Sequence, residues 1–183
     1  MTATAPRVVE TGQLVRLREK TLEDARQDYE WRRDPELAAF DAAQPLQMSY
    51  RAYLATIAEE LKHPSSYRRS FAIEAVGSGR HIGNVMFYGH DQTLRQSELG
   101  ITIGDRNYWE RGYGSDAVRS MLRYLFRDLR LNRVYLHTLT TNLRAQAAFR
   151  RAGFRDVRLV RRDGYEFRLM EAFGTDLRQA APE

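Results

Sequence analysis

Cysteine is absent from this sequence, and lysine occurs only at positions 20 and 62. The lack of cysteine excludes disulfide bonds, thiolate metal ligands and a cysteine nucleophile. The four histidines have no spacing typical of a metal site, so we expect no metal. There is no run of eighteen apolar residues and no secretory signal pattern. We therefore expect a cytoplasmic protein that has no membrane partner.

Basic residues slightly outnumber acidic ones, with 29 Lys and Arg against 24 Asp and Glu. All but two of the basic residues are arginine, a side chain that suits phosphate groups and raises the question of nucleic-acid binding. The arginines are spread along the chain and alternate with acidic residues, which indicates a solvated surface. We therefore expect no nucleic-acid partner.

The length of 183 residues predicts one domain, residues 1–183. Apolar periodicity predicts strands over 14–21, 71–76, 81–89, 97–104 and 133–139, with two more after 153 on either side of the Asp163-Gly164 turn. Helices are predicted from a Thr21–Asp24 capping box to Pro35, and over 48–61, 114–129 and 142–152. The order predicts an α/β fold of α+β type, in which about four helices flank a mixed, mostly antiparallel sheet of six to seven strands. Gly100, central in its strand, suggests a bulge.

The segment "NYWERGYGSDAVRSMLRYLF" (107–126) places Gly112 and Gly114 just before an amphipathic helix. Unpaired N–H groups and the positive end of the helix dipole favour an anion at such a junction. The letters G-x-G-x-x-A also fit a dinucleotide site, but here they lie late in the chain, and no acidic residue ends the next strand. The phosphate-binding G-K-[ST] sequence is missing. An anion site and a simple turn both remain open on these grounds.

Three segments carry a resemblance to a known family. "IGDRNYWERGYGSDAVRSMLRYLF" resembles the acetyl-CoA motif Q/R-x-x-G-x-G/A of the GNAT acetyltransferases, with Trp109 in the Q/R place. It looks most like the branch that acetylates ribosomal-protein N-termini. In "LNRVYLHTLTTNLRAQAAFRRAGF", Asn142, Gly153 and Phe154 match the branch's next block, while Ala145 stands where serine is usual. With "VRLREKTLEDARQDYEWRRDPE", the resemblance covers roughly residues 14–172.

The resemblance implies acetyl-CoA as the cofactor and a splayed central strand pair in the sheet. Backbone N–H groups from Arg111 to Ser115, with the Ser115 hydroxyl and the Arg111 side chain, would hold the pyrophosphate. The pantetheine arm would pair with the strand containing Ile101 and Ile103, and Asn142 would contact the cofactor or cap its helix. The full set of cofactor-binding residues implied is Ile101, Ile103, Trp109, Arg111, Gly112, Tyr113, Gly114, Ser115, Asn142 and Phe149.

The implied reaction is direct attack of a neutral amine on the thioester. Deprotonation at pH 7 costs about 1.4 kcal/mol for an α-amine and about 4.6 kcal/mol for a lysine-type amine. Glu98 is the expected base, directly or through water, with His90 and Asp91 as weaker candidates. A backbone N–H group in the stretch from Leu99 to Ile101 would stabilise the oxyanion. Phe149 stands where many members have a tyrosine that acts as general acid, so the acid is left open among water, Ser115, another tyrosine such as Tyr108, and none.

The acceptor is expected at "FDAAQP", the second helix and "RRDGYE", where Asp41, Tyr88 and Tyr165 would line its site. A protein N-terminus, a small amine metabolite and an aminated antibiotic all remain open as acceptors, and both a monomer and a homodimer are allowed. The alternative function is that of a catalytically silent acyl-CoA-binding or sensing protein, which the phenylalanine at 149 favours.

Overall fold

The computed structural model describes residues 5–179. Short 3-10 turns span Leu22–Asp24 and Arg106–Tyr108. The strands are β1 (Val8–Thr11), β2 (Val15–Glu19), β3 (Arg69–Ala75), β4 (His81–Asp91), β5 (Gln96–Ile103), β6 (Arg133–Leu139), β7 (Arg155–Arg162) and β8 (Tyr165–Phe173). The helices are α1 (Ala25–Arg33), α2 (Pro35–Phe40), α3 (Tyr50–Lys62), α4 (Tyr113–Arg127), α5 (Leu143–Arg151) and α6 (Gly174–Gln179).

All eight of these strands form one sheet in the order β1-β2-β3-β4-β5-β6-β8-β7. Neighbouring strands are antiparallel except β5 and β6, which are parallel and joined through α4. A parallel neighbour needs such a crossover, because the chain must return to the same end of the sheet. The mixed, mostly antiparallel sheet that the sequence predicts is therefore confirmed.

The main core lies between one face of the sheet and α4. Met121 and Leu122 of α4 are fully buried against sheet residues such as Leu17, Phe71 and Val85. A smaller cluster joins α1 and α3 around Tyr29, with Ala25, Tyr53 and Ile57. Burial of the apolar stripe of α4 against the sheet explains why this helix forms where the sequence pattern predicts it.

The start of α1 is fixed by a buried ion network. The Asp24 carboxylate accepts the Thr21 N–H (2.8 Å), as the predicted capping box requires, and pairs with Arg18 at 2.8 Å. Burial alone would raise the pKa of Asp24, but the hydrogen bonds from Arg18 and Thr21 outweigh it and the pKa is lowered. Glu74 on β3 also pairs with Arg18, at 2.8 Å.

The element count differs from the sequence prediction, because the described residues contain eight strands and six helices. The extra strand is β1, which lies in a lead-in where no strand is predicted and pairs with β2. One extra helix is α2, because Pro35 occupies its first turn and the Asp34 side chain accepts the N–H groups of Glu36 and Leu37. A proline that ends one helix can begin the next, because an N–H group in the first turn would have no partner within the helix and proline therefore loses no hydrogen bond there. The other is α6.

The expected bulge at Gly100 is wrong. Residues 98–103 of β5 pair with 83–88 of β4 in unbroken register, and the irregularity falls between Tyr88 and Asp91. Gly89 there has φ +61°, a conformation that glycine adopts readily. At Gly100 a Cβ would lie 3.3 Å from Met86 Cγ, so close packing explains this glycine.

The parallel pair separates partway along its length. β5 pairs with β6 only through Gln96, Ser97 and Glu98, whereas β4 stays paired with β5 as far as Ile103 and β8 with β6 as far as Leu139. The two strands are therefore splayed beyond Glu98, and a gap opens in the middle of the sheet. No helix within residues 5–179 is both long and apolar enough to cross a bilayer.

Candidate active site

A cavity of about 960 Å³ occupies the gap between the splayed strands. It extends from the N-terminus of α4 to the end of α2 and the β7–β8 turn. Twelve of the site residues predicted from the sequence line this cavity: Asp41, Tyr88, Glu98, Ile101, Ile103, Trp109, Gly112, Gly114, Ser115, Asn142, Phe149 and Tyr165.

The N-terminus of α4 forms one end of this cavity. Gly112 caps the helix with φ +87°, and the first helical hydrogen bond is donated by Asp116 to the Gly112 carbonyl (3.0 Å). N–H groups in the first turn before Asp116 have no partner within the helix. Ser115 is 4% exposed, and its hydroxyl has no hydrogen-bond partner among the residues that the structure describes. A helix dipole, free N–H groups and an unpaired hydroxyl suit a phosphate group.

The side chains of Arg111 and Tyr113 lie outside the cavity lining. Arg111 Nη1 donates to the Asn107 carbonyl (3.1 Å), and the ring of Tyr113 packs edge-on against Tyr108 at 4.8 Å. These contacts hold the loop in front of α4. A role for either residue toward a ligand would therefore pass through its backbone N–H.

The far end of β5 is covered by Trp109. Its indole N–H donates to the Ile103 carbonyl (2.7 Å), so this carbonyl already has one partner. The guanidinium of Arg144 on α5 stacks 3.5 Å from the indole centroid, and the ring of Phe40 lies 6.0 Å away edge-on. Burial lowers the pKa of Arg144. We name these three residues the Phe40–Trp109–Arg144 cluster; no sequence pattern singles out Arg144.

The start of α5 closes another wall. Asn142 Oδ1 accepts the Ala145 N–H (3.1 Å), so Asn142 caps α5 and also lines the cavity. Phe149 is 6% exposed and packs against Phe154 with ring centroids 5.9 Å apart. Arg151 and Arg162 also line the cavity and add positive charge. No proton donor is available at position 149.

Glu98 lies where the two strands separate. Its Oε1 is 2.8 Å from Nδ1 of His137 on β6, and both side chains are mostly buried. The pKa of the neighbouring Tyr88 is raised by burial and by the charge of Glu98. His137 lines the cavity but was considered in the sequence only as a metal ligand. Its contact with Glu98 depends on the pairing of strands 39 residues apart, which no local motif reveals.

The weaker base candidates lie outside the cavity lining. Asp91 accepts the N–H groups of Thr93 and Leu94, each at 2.8 Å, and so shapes the β4–β5 turn. The backbone N–H of His90 donates to the Tyr67 carbonyl (3.3 Å). Neither side chain therefore faces the cavity that Glu98 lines.

Asp41 follows α2 and lies between this cavity and a second one of about 850 Å³. Asp41 is exposed to solvent, but the two cavities that it lines are surrounded by protein on several sides. Burial raises the pKa of Asp41 to about 6, and Arg32 opposes the shift. Because water still reaches the carboxylate, solvent screens part of this effect. Tyr165 lies on the opposite wall and is 45% exposed. Among the described residues, no group of three His, Asp or Glu is placed to hold a metal ion.

Comparison with known proteins places this geometry in a family. The model of the acetyltransferase (GNAT) domain matches residues 15–155. A protein of Bacillus licheniformis named "uncharacterized N-acetyltransferase p20" is 30% identical over 119 residues, or 64% of this chain. The match spans 66% of that relative, slightly less than two thirds of its length.

Solved structures share the fold at low identity. Spermidine N-acetyltransferase from Vibrio cholerae, in complex with CoA and spermine, superposes with a TM-score of 0.77 at 19% identity, covering 88% of this chain and 96% of that one. An acetyltransferase (GNAT family) from Bacillus anthracis superposes with a TM-score of 0.75 at 13% identity, covering 91% and 98%. From the sequence match over most of its length, and in agreement with the splayed sheet, this chain belongs to the GNAT acetyltransferase family.

Proposed function

We propose that this protein transfers an acetyl group from acetyl-CoA to a primary amine by direct attack on the thioester. One observation carries the proposal: a single cavity joins the N-terminus of α4, which suits an anion, to the Glu98–His137 pair. An acyl carrier that bears phosphate groups needs the first of these ends, and an amine that must lose a proton needs the second. When bound, acetyl-CoA supplies the activated acetyl group.

The residues at the α4 end fit the cofactor. The first-turn N–H groups and the unpaired Ser115 hydroxyl would hold the pyrophosphate, and Gly114 leaves the backbone accessible from the cavity. Arg111 and Tyr113 would contribute backbone N–H groups only. Ile101 and Ile103 would offer peptide groups to the pantetheine arm. The Ile103 carbonyl already accepts the Trp109 indole N–H, so it would accept a hydrogen bond from the arm with its second lone pair.

The acceptor amine would enter at the other end, where Asp41, Tyr88 and Tyr165 line the cavity. Glu98 is there one member of the pair that would take the proton of the amine. We infer a protein N-terminus or a small molecule as the acceptor. The resemblance to the ribosomal-protein branch supports the former, and the carboxylates at Asp41 and Glu98 suit any ammonium group. The Vibrio cholerae enzyme binds spermine, so polyamines belong among the test acceptors.

The test is thermal melting with acetyl-CoA, followed by thiol release with N-terminal peptides, polyamines and aminoglycosides as acceptors. A ligand that binds only the native state stabilises it by RT ln(1 + [L]/Kd), about 2.7 kcal/mol at a hundredfold excess over Kd. The proposal expects a rise in Tm and thiol release with one acceptor class. A rise in Tm without release would support the silent acyl-CoA-binding alternative. An unchanged Tm would contradict both.

A further inference from the structure

The fork of the sheet contains a histidine that the proposed function does not yet use. Backbone pairing between β5 and β6 ends at Glu98 and Tyr135. His137 is the next residue of β6 on the same face, and its ring reaches back to Glu98 across the fork, with 2.8 Å between Nδ1 and Oε1. The exposed fractions of the two side chains are 18% and 16%. A side-chain bond thus continues the strand contact where the backbone contact stops.

The contact fixes the orientation of the imidazole. An ionised carboxylate only accepts hydrogen bonds, so in the neutral imidazole Nδ1 carries the proton and Nε2 keeps a free lone pair. The rings of Tyr135 and Phe167 pack edge-on around the imidazole, with centroids 6.1 and 6.5 Å away. A base whose second nitrogen is held by a carboxylate is the usual arrangement for an oriented general base.

We propose that His137 is the catalytic base and that Glu98 is its positioning residue; this rests on the proposed acetyl transfer. Nε2 of His137 removes one proton from the acceptor ammonium, and the resulting neutral nitrogen attacks the thioester carbonyl. The N–C bond forms and the C–S bond breaks. A second nitrogen proton goes to the thiolate, so that an amide, a thiol and an imidazolium result. The Glu98 carboxylate stabilises the imidazolium until it returns its proton to water.

Other titratable or charged groups near the imidazole must be considered in any pH profile. Tyr88 on β4 and Tyr135 on β6 both interact with the charge of Glu98. On β8, Glu171 lies opposite Tyr135 and pairs with Arg133. The other titratable or charged residues that line the cavity are Asp41, Tyr108, Glu110, Arg144, Arg151, Arg162, Asp163 and Tyr165. None of these has a hydrogen bond to the imidazole in the described structure, whereas Glu98 does. Substitution of Glu98 is therefore the change expected to alter the titration of His137 most.

The test compares His137→Gln with Glu98→Gln in thiol release over a range of pH, using the acceptor found for the wild type. His137→Gln is expected to lower kcat/KM at neutral pH by about 10² to 10⁴-fold, with less loss at alkaline pH where the free amine is more abundant. Glu98→Gln should lose less activity and shift the acidic limb of the profile to lower pH, because the imidazolium loses its counter-charge. The acetyl-CoA-induced change in Tm should persist in both variants. His63→Gln, at the exposed C-terminus of α3, serves as a matched control and should keep the wild-type rate.

Several outcomes would overturn the proposal. A His137→Gln rate within threefold of the wild type would do so, as would a Glu98→Gln variant that loses more activity than His137→Gln, which would make Glu98 the direct base. The ¹⁵N chemical shifts of the wild-type imidazole give a test that needs no variant to fold: a proton on Nε2 rather than Nδ1 would contradict the assigned orientation. If the wild type binds acetyl-CoA but releases no thiol with any acceptor, the acetyl-transfer proposal fails, and the role of His137 fails with it.

Discussion

The indole N–H of Trp109 donates to the carbonyl of Ile103, the last residue of β5, at 2.7 Å. This bond anchors the loop before α4 to the end of the splayed strand. It also orients the indole face toward Arg144, whose guanidinium lies 3.5 Å from the ring centroid. A residue in the Q/R place of the acetyl-CoA motif thus has a structural role here, which is to join the loop, β5 and α5.

Substitution Trp109→Phe should show the strength of this anchor. The phenyl ring retains part of the stacking on Arg144, but the Ile103 carbonyl loses its donor. We expect the free energy of unfolding to fall by about 1 kcal/mol, which lowers Tm by roughly 2–4 °C in a chain of this size. Phe40→Leu, which removes the edge contact with Trp109 and the contact with Arg144 but no hydrogen bond, should cost less. Equal Tm values for Trp109→Phe and the wild type would argue against the anchor.

The two glycines of the motif should respond differently to substitution. At Gly114 a Cβ would lie 3.7 Å from Ile103 Cγ1, an ordinary contact, and φ is not positive. Gly114→Ala should therefore fold and raise helix stability by up to about 1 kcal/mol. Gly114→Leu should also fold but extend into the cavity and weaken acetyl-CoA binding at least tenfold by isothermal titration. Unchanged affinity in Gly114→Leu would place the phosphates elsewhere.

Gly112→Ala tests a different requirement. With φ +87° at the N-cap of α4, an alanine there is strained, and we expect a loss of about 1 kcal/mol in unfolding free energy. Urea denaturation measures the change. A suitable control is Gly77→Ala, at which the Cβ meets nothing within 4 Å and φ is not positive. That control should be neutral or slightly stabilising. Equal midpoints for the two alanine variants would contradict the strained cap.

Asp41 gives a pH-dependent prediction. Its pKa is raised in the folded protein to about 6, above its ordinary 3.8, so the folded state binds more protons between these values and stability falls as the pH rises through this window. Asp41→Asn should therefore raise Tm at pH 7.5, and the difference should shrink toward zero below pH 4. Glu30→Gln, a substitution on the exposed side of α1, should show no such trend. An Asp41→Asn variant that melts below the wild type at pH 7.5 would reverse the sign.

Local sequence patterns predicted the regular elements where burial follows a simple period. The segment 133–139 is predicted and observed as β6 because the buried Val134 and Leu136 alternate with less buried residues. β1 was missed because none of its residues is fully buried, so that its pairing with β2 leaves little periodic signal. α2 was missed because Pro35 signals a helix end as strongly as a helix start, and only the Asp34 cap decides between them.

The candidate site was predictable only where one continuous motif forms it. Gly112, Gly114 and Ser115 adjoin one another in sequence, and a loop before a helix needs no tertiary information to suggest an anion. The Glu98–His137 contact requires the parallel pairing of β5 with β6 across the α4 crossover. Arg144 likewise meets Trp109 only after α5 has folded against the loop.

Beyond Glu98, residues 99–103 pair only with β4, and residues 136–139 pair only with β8. Each strand therefore presents a free edge, the feature through which β-proteins most readily aggregate with other chains. Here both edges face each other inside the molecule, with the Phe40–Trp109–Arg144 cluster lining the same cavity. A foreign strand cannot easily align with them, while a slender ligand that carries amide groups can. The same separation of strands thus keeps the two free edges away from other chains and would leave room between them for the pantetheine arm of the proposed cofactor.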